Sequence, residues 1–257
     1  GYGGPVVPTE EALFDLHLAH ARTIPFENLD IQMGLPIRLD LASLQDKLVN
    51  RRRGAYCFEQ NTLFRAALEA FGFHPRLREA RVRFGAPEPL PRTHGVHTLS
   101  LGDREWLVDV GFGGEGLLLP LPTDGSEAVQ FGFRYRVAAE GARRVLQRLR
   151  PEGWFDLYAL EPGEVLPVDW EMGNHYTSTH PQSRFTTTLT AQRPGIEVRH
   201  TLRGRAYTRL EGGVETTREL QSRRECLDLL RGTFGLELPE AAEFRSLDWP
   251  GEDRAPV

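Results

Sequence analysis

The chain has 257 residues, 40% hydrophobic and 26% charged, the balance of a globular protein with one large domain or two to three small ones. That excludes a disordered, collagen-like or disulfide-framework chain; no apolar run is long enough to span a membrane, and residues 1–9 carry no pattern of a secretory signal. The net charge is −5, and Lys47 is the single lysine among 31 basic residues scattered between acids, which argues against a nucleic-acid surface.

Residues 1–75 read as helical. Thr9 is a candidate N-cap, with Glu10 and Glu11 in the first turn. Leu13, Leu16, His17 and His20 then share one face, and Pro25 ends the run. Asp40 or Ser43 starts a second helix with Leu41, Leu44, Leu48 and Val49 inward. A third begins near Cys57, carries Leu63, Phe64, Ala67, Leu68 and Phe71, and stops at Gly72. From 76 to 215, short β-rich runs are separated by turn signals such as Gly102-Asp103, Asp124-Gly125 and Pro194-Gly195. These predict an antiparallel β region, barrel or sandwich. Ser222 with Glu225 predicts a capping box for a last helix closed by Gly235. Residues 239–257 read as a loosely structured tail.

The densest cluster of reactive residue types is Arg51 to Asn61. A glycine-containing turn there delivers Cys57 to the start of a helix. The partial positive charge of a helix N-terminus favours a thiolate over a thiol. Cys57 is therefore either an activated nucleophile or a small buried residue at a helix start. Cys226, on the apolar side of the last helix, reads as structural.

A second cluster is Thr93-His94-Gly95-Val96-His97, followed by Asp109 to Gly114. Leu99–Leu101 and Trp106–Val108 read as strands around Gly102-Asp103. A two-residue loop sets Asp109 opposite Val96, with His94 as a same-face diagonal neighbour. His97 then faces the other way, opposite Val108; an odd loop or a bulge reverses this parity. The hairpin so built offers a Cys-His-Asp triad, or else a carboxylate that only caps the glycine turn. Gly111–Gly114 suits a close backbone approach to an anion but lacks dinucleotide or P-loop spacing. No His/Cys/Asp/Glu set has metal-ligand spacing, and His17 with His20 reads as a packed pair.

Four blocks recur together along nearly the whole chain. They are Thr23-Ile-Pro-Phe-Glu-Asn-Leu-Asp30; Arg53-Gly-Ala-Tyr-Cys-Phe-Glu-Gln-Asn61; Pro91-Arg-Thr-His94 with Val108-Asp-Val-Gly-Phe-Gly-Gly114; and Met172-Gly-Asn-His-Tyr176 with Pro181-Gln-Ser-Arg-Phe185. In these blocks the chain resembles the arylamine N-acetyltransferases. The resemblance implies an α+β fold in three parts. A helical bundle (1–75) carries the cysteine, an antiparallel β-barrel (76–180) carries the histidine and aspartate, and an α/β lid covers 181–257. The core is that of a cysteine-protease-like Cys-His-Asp enzyme. It also implies a cytoplasmic bacterial enzyme, monomer or weak homodimer, that uses acetyl-CoA and no metal. Its acceptors would be arylamines, arylhydrazines or N-hydroxyarylamines, with neither nucleic acid nor membrane as partner.

By the same resemblance Cys57 is the nucleophile, His94 the base and Asp109 the orienting carboxylate. Phe26, Phe112 and Phe185 line the acceptor pocket, and Thr93 and Gly113 contact CoA. Arg53, Glu27 and Asn61 are expected to form a buried polar network supporting the Cys57 turn. Two positions depart from the family pattern: Ala55 where a second glycine is usual, and His97 where an apolar strand residue is usual. Rival functions are an amide synthase of the same superfamily using a carrier-bound acyl group, a papain-like hydrolase, and a binding protein that kept the scaffold.

Overall fold

The computed structural model describes residues 2–249. Helix α1 (Glu10–Thr23) starts where the Thr9 hydroxyl accepts the Ala12 N–H, 3.2 Å. Strand β1 (Phe26–Glu27) and the one-turn α2 (Leu29–Gln32) follow Pro25. Asp40 caps α3 (Leu41–Leu44), which runs into a single π-helical turn, Gln45–Asn50. This wider turn changes the phase of the expected apolar face. Leu44 and Leu48 are buried, but Leu41 and Val49 face solvent, and Lys47 takes an inward position instead. Helix α4 (Cys57–Ala70) ends just before Gly72.

Eight strands form one antiparallel sheet: β2 (Arg76–Val82), β3 (Arg92–Leu101), β4 (Arg104–Val108), β5 (Leu121–Pro122), β6 (Ala128–Gln130), β7 (Phe133–Glu140), β8 (Arg143–Arg150) and β9 (Gly153–Leu160), in the order β5-β4-β3-β2-β9-β8-β7-β6. The sheet curls into a nearly closed barrel. Gln130, on one edge, accepts the N–H groups of Leu118 and Leu119 beside the other edge, 3.0 Å each. The β3–β4 hairpin pairs His97 with Val108 and Leu99 with Trp106 around the two-residue turn, so the expected parity holds. Alternation then divides its residues. Val96 and Leu107 point into the barrel with Tyr135, Leu146 and Tyr158. Leu99, Trp106 and Val108 point outward against Ala12 and Leu13 of α1 and Phe64 and Leu68 of α4. Burying each such large apolar side chain stabilises by about 1.5–3 kcal/mol, so the hairpin is clamped from both faces.

After the barrel come α5 (Pro167–Thr179) and the short α6 (Arg184–Thr187). Then β10 (Thr190–Arg193), β11 (Val198–Arg203), β12 (Ala206–Glu211) and β13 (Val214–Glu219) form a second antiparallel sheet. Its edge is β1, from the start of the chain, with Phe26 opposite Gln192. The last helix, α7 (Arg223–Gly232), has the expected cap: Ser222 Oγ accepts the Glu225 N–H, 3.2 Å. Residues 239–249 correct the expectation of a loose tail. Ala242, Phe244, Leu247 and Trp249 bury against Leu202, Cys226 and Leu230, covering apolar surface that α7 and the sheet leave open. The rest of that tail, 250–257, lies outside the described residues. No helix among the described residues is long and apolar enough to cross a membrane.

Candidate active site

Cys57 is the first residue of α4, and backbone pairing fixes the turn that delivers it. The Ala55 N–H donates to Pro25 O, 3.1 Å, and the Glu27 N–H donates to Ala55 O, 3.0 Å. The Thr23–Asp30 block thus holds the Arg53–Asn61 block directly. Ala55 is fully buried and does not adopt a positive φ, so the missing glycine causes no strain there.

Behind this turn lies a buried ionic network. Arg53 donates to Glu27 and Asp30 at 3.0 and 2.9 Å; Lys47 donates to Asp30 and Glu59, 2.7 Å each. Burial opposes the Lys47 charge, but Glu59, Glu27 and Asp30 more than offset it and hold the ammonium protonated beyond the usual lysine range. Glu27 and Arg53 therefore join as the sequence indicated. Asn61 does not belong to this network.

Asn61 sits four residues after Cys57 on α4 and reaches the barrel. Its amide donates to Asp109 Oδ1, 3.0 Å, and to Gly95 O, 2.8 Å, and its oxygen accepts the Val110 N–H, 3.2 Å. Asp109 also receives the Gly111 N–H at 2.9 Å, the Tyr158 hydroxyl at 2.9 Å and His94 Nε2 at 2.8 Å. Burial works against the Asp109 charge, but His94, Asn61 and Gly111 hold its value down to about 2. For His94, burial likewise opposes the cation, yet Asp109 and the neighbouring Cys57 thiol push the value up to about 10. With Nε2 committed to Asp109, Nδ1 is the ring atom left for Cys57. The Cys57 thiol also approaches Thr93 O, 3.7 Å.

His97 is on the opposite face of β3. Its ring stacks on Trp170, centroids 5.1 Å apart, and its Nε2 is 2.8 Å from Asn61 O. Burial lowers it to about 4, so it stays neutral.

Gly111 and Gly113 allow the close packing after Asp109. A Cβ on Gly111 would lie 2.8 Å from the Cys57 Cα. Gly113 has φ +90°, and a Cβ there would lie 2.3 Å from Gln192 Oε1.

Cys57 and His94 open onto a cavity of about 410 Å³. Phe26, Phe112, Phe185 and Thr93 all line it; Gly113 does not, whereas Gly111 and Gly114 do. Phe185 is held in place through its carbonyl, which accepts from Asn28 at 2.8 Å and Gln32 at 2.7 Å. Its ring meets Phe26 at 5.8 Å and Tyr56 at 5.7 Å. Phe112 packs edge-on against His94, 5.2 Å.

Two contacts to Asp109 carry no motif in the sequence. Tyr158 comes from β9, across the barrel. His17, on α1, contacts Leu118 O through Nδ1 at 3.0 Å, and its Nε2 accepts the Asp109 N–H at 3.3 Å. The helical face shared by His17 and His20 was the signal, but its target was not local.

Burial lowers His17 to about 4 and His20 to about 3. Together with His97 these are neutral in the folded chain and have an ordinary value of 6.5 when unfolded. Above pH 6.5 both states are neutral and nothing is lost. As pH falls from 6.5 toward 4, the unfolded chain takes up protons that the native state refuses, and stability drops, by about 3 kcal/mol each for His17 and His97. His94 acts on the other side: its raised value gives stability that is complete below pH 6.5 and lost as pH rises through 10. Urea titrations are expected to show a maximum near pH 6.5 and a clear loss by pH 5. A midpoint unchanged between pH 6.5 and 5 would contradict the neutral assignment of these histidines.

A family model described as N-acetyltransferase matches residues 9–243. An arylamine N-acetyltransferase / N-hydroxyarylamine O-acetyltransferase of Salmonella typhimurium is 43% identical over 181 residues, 70% of this chain and 64% of that protein. The arylamine N-acetyltransferase of Nocardia farcinica superposes with a TM-score of 0.86 at 37% identity, covering 93% of this chain and 87% of that one. The Mycobacterium marinum enzyme, solved in complex with CoA, gives 0.86 at 35% identity, with 91% and 89% covered. The chain belongs to the arylamine N-acetyltransferase family.

Proposed function

We propose that this protein transfers an acetyl group from acetyl-CoA to arylamines and arylhydrazines, and to the oxygen of N-hydroxyarylamines, through an acetyl-Cys57 intermediate. The observation that carries this is the buried His94–Asp109 pair beside Cys57, opening on an aromatic cavity. In this reading residues 1–75 supply the nucleophile, 76–180 the base and carboxylate, and 181–257 the lid. A cytoplasmic bacterial enzyme, monomer or weak homodimer, is part of the same reading.

His94 Nδ1 takes the Cys57 proton, and Asp109 stabilises the imidazolium so formed. The thiolate attacks the thioester carbonyl. Backbone N–H groups at the start of α4 face the developing oxyanion. The tetrahedral adduct collapses, the C–S bond to CoA breaks, and His94 returns the proton to the departing CoA sulfur. Acetyl-Cys57 remains. An arylamine nitrogen then attacks its carbonyl, His94 removes the amine proton, and the Cys57 thiolate leaves. Aromatic amines suit this step because their nitrogen is unprotonated at neutral pH, whereas an alkyl amine is a cation. Phe26, Phe112 and Phe185 give the aryl ring an apolar wall, and Thr93 is the contact assigned to CoA. Gly113, between Phe112 and Gly114 of the cavity wall, is the second contact assigned to CoA.

Alkylation separates the roles of the two histidines. A free cysteine is only a few per cent thiolate at neutral pH. His94→Ala is expected to slow iodoacetamide labelling of Cys57 at pH 7 about 30-fold, while His97→Ala leaves it fast. The reverse pattern would move the base to His97.

A further inference from the structure

The main chain of Asp109 is held from outside the barrel. β4 ends at Val108, paired with His97, so Asp109 is the first residue past the strand ladder. Its N–H donates to Nε2 of His17 on α1, 3.3 Å away. The other ring nitrogen of His17, Nδ1, donates to Leu118 O at 3.0 Å. A ring that accepts at Nε2 and donates at Nδ1 is neutral and in one tautomer; an imidazolium donates at both nitrogens and cannot make this pair of bonds. His17 is fully buried, and Phe64 packs edge-on against it with centroids 5.6 Å apart. Asp109 and His20 are the titratable groups that act on the ring, and burial outweighs the pull of Asp109 and keeps it neutral.

One ring thus ties both ends of the segment 109–118. Between those ends lie Gly111, Phe112, Gly114 and Glu115 of the cavity wall, and Phe112 packs against His94. Leu118 is fixed in turn, its N–H donating to Gln130 on β6 at 3.0 Å. The Asp109 carboxylate is only as well aimed at His94 as the main chain that carries it.

We propose that His17 is a positioning residue for acyl transfer: its neutral ring sets the main chain of Asp109 and both ends of the 109–118 loop, and so aligns the carboxylate with His94. His17 is not part of the cavity wall and acts through Asp109 alone. This rests on the triad reading above.

Three variants separate positioning from bulk stability. His17→Phe keeps a buried ring and removes both bonds. A Gln amide lies near the position of Nε2 and an Asn amide near that of Nδ1, so His17→Gln keeps an acceptor for the Asp109 N–H and His17→Asn keeps a donor for Leu118 O. Iodoacetamide labelling of Cys57 is measured at pH 7, where the thiolate depends on His94, and at pH 10, where a free thiol ionises unaided. His17→Phe is expected to lower the pH 7 rate about tenfold, short of the roughly 30-fold ceiling set by a few per cent of free thiolate, and to leave the pH 10 rate within about twofold. The kcat for arylamine acetylation falls with the pH 7 rate. His17→Gln recovers most of both, and His17→Asn does not. If His17→Phe does not fold, the comparison of Gln with Asn decides alone. Equal losses at both pH values, an unchanged pH 7 rate in folded variants, or recovery by Asn as full as by Gln would make His17 a packing residue only and overturn the proposal. Wild-type labelling at pH 7 no faster than that of a free cysteine would instead overturn the triad reading.

Discussion

Asp109→Asn is expected to lower kcat/KM for arylamine acetylation about 10³- to 10⁴-fold, the scale seen when a triad carboxylate becomes an amide. The substitution keeps size and shape but removes the charge opposite His94 Nε2, 2.8 Å away. An amide nitrogen turned toward His94 Nε2 would also favour the tautomer that carries its proton on Nδ1, where it cannot accept the Cys57 proton. An amide oxygen can still receive the Asn61 and Gly111 donors, so the loss of activity should exceed any loss of fold. Steady-state kinetics with melting curves distinguish the two. Retention of most of the activity by a folded variant would reduce the site to a Cys57–His94 pair.

Lys47→Met is expected to destabilise the protein by about 3–5 kcal/mol, the scale for breaking a buried ion pair by removing one partner. That is a large share of the 5–15 kcal/mol typical of a whole domain. The reason is the charge count behind the Cys57 turn. Three carboxylates, Glu27, Asp30 and Glu59, share two cations, Lys47 and Arg53, and Arg53 Nη2 already serves Glu27 and Asp30. Without Lys47, Glu59, which burial already raises to about 7, takes up a proton at neutral pH, and Asp30 keeps Arg53 as its cation. Urea unfolding at pH 7 measures the loss, and adding Glu59→Gln should recover part of it. A loss under about 1 kcal/mol, the range of a surface pair, would contradict the buried network.

Much of this site was legible in the sequence because its geometry is local or set by parity. The two-residue Gly102-Asp103 turn fixes which face of the hairpin carries His94, so one register argument separates His94 from His97. Cys57 at a helix start and the cap at Ser222 follow from short-range chemistry. What stayed hidden depends on distant segments. Tyr158 meets Asp109 only because the sheet curls, and His17 does so only because α1 packs against the outer face of β3–β4. Lys47 was visible as a lone lysine, but its inward position comes from a π-helical turn that helical periodicity does not anticipate. The 239–249 segment read as loose because it has no regular period; its apolar residues are ordered by the surface they cover. Asn61 was within reach, since four residues along a helix from Cys57 is the same face.

The acetyl-cysteine intermediate is tested by the intact mass of the protein after mixing with acetyl-CoA in the absence of an acceptor, beside Cys57→Ser. A gain of one acetyl group on the wild type is expected, with no gain on the variant and discharge of the label when 4-aminobenzoate or an arylhydrazine is added. No gain on a wild type whose Cys57 is still rapidly alkylated, or a label that survives in Cys57→Ser, would contradict it.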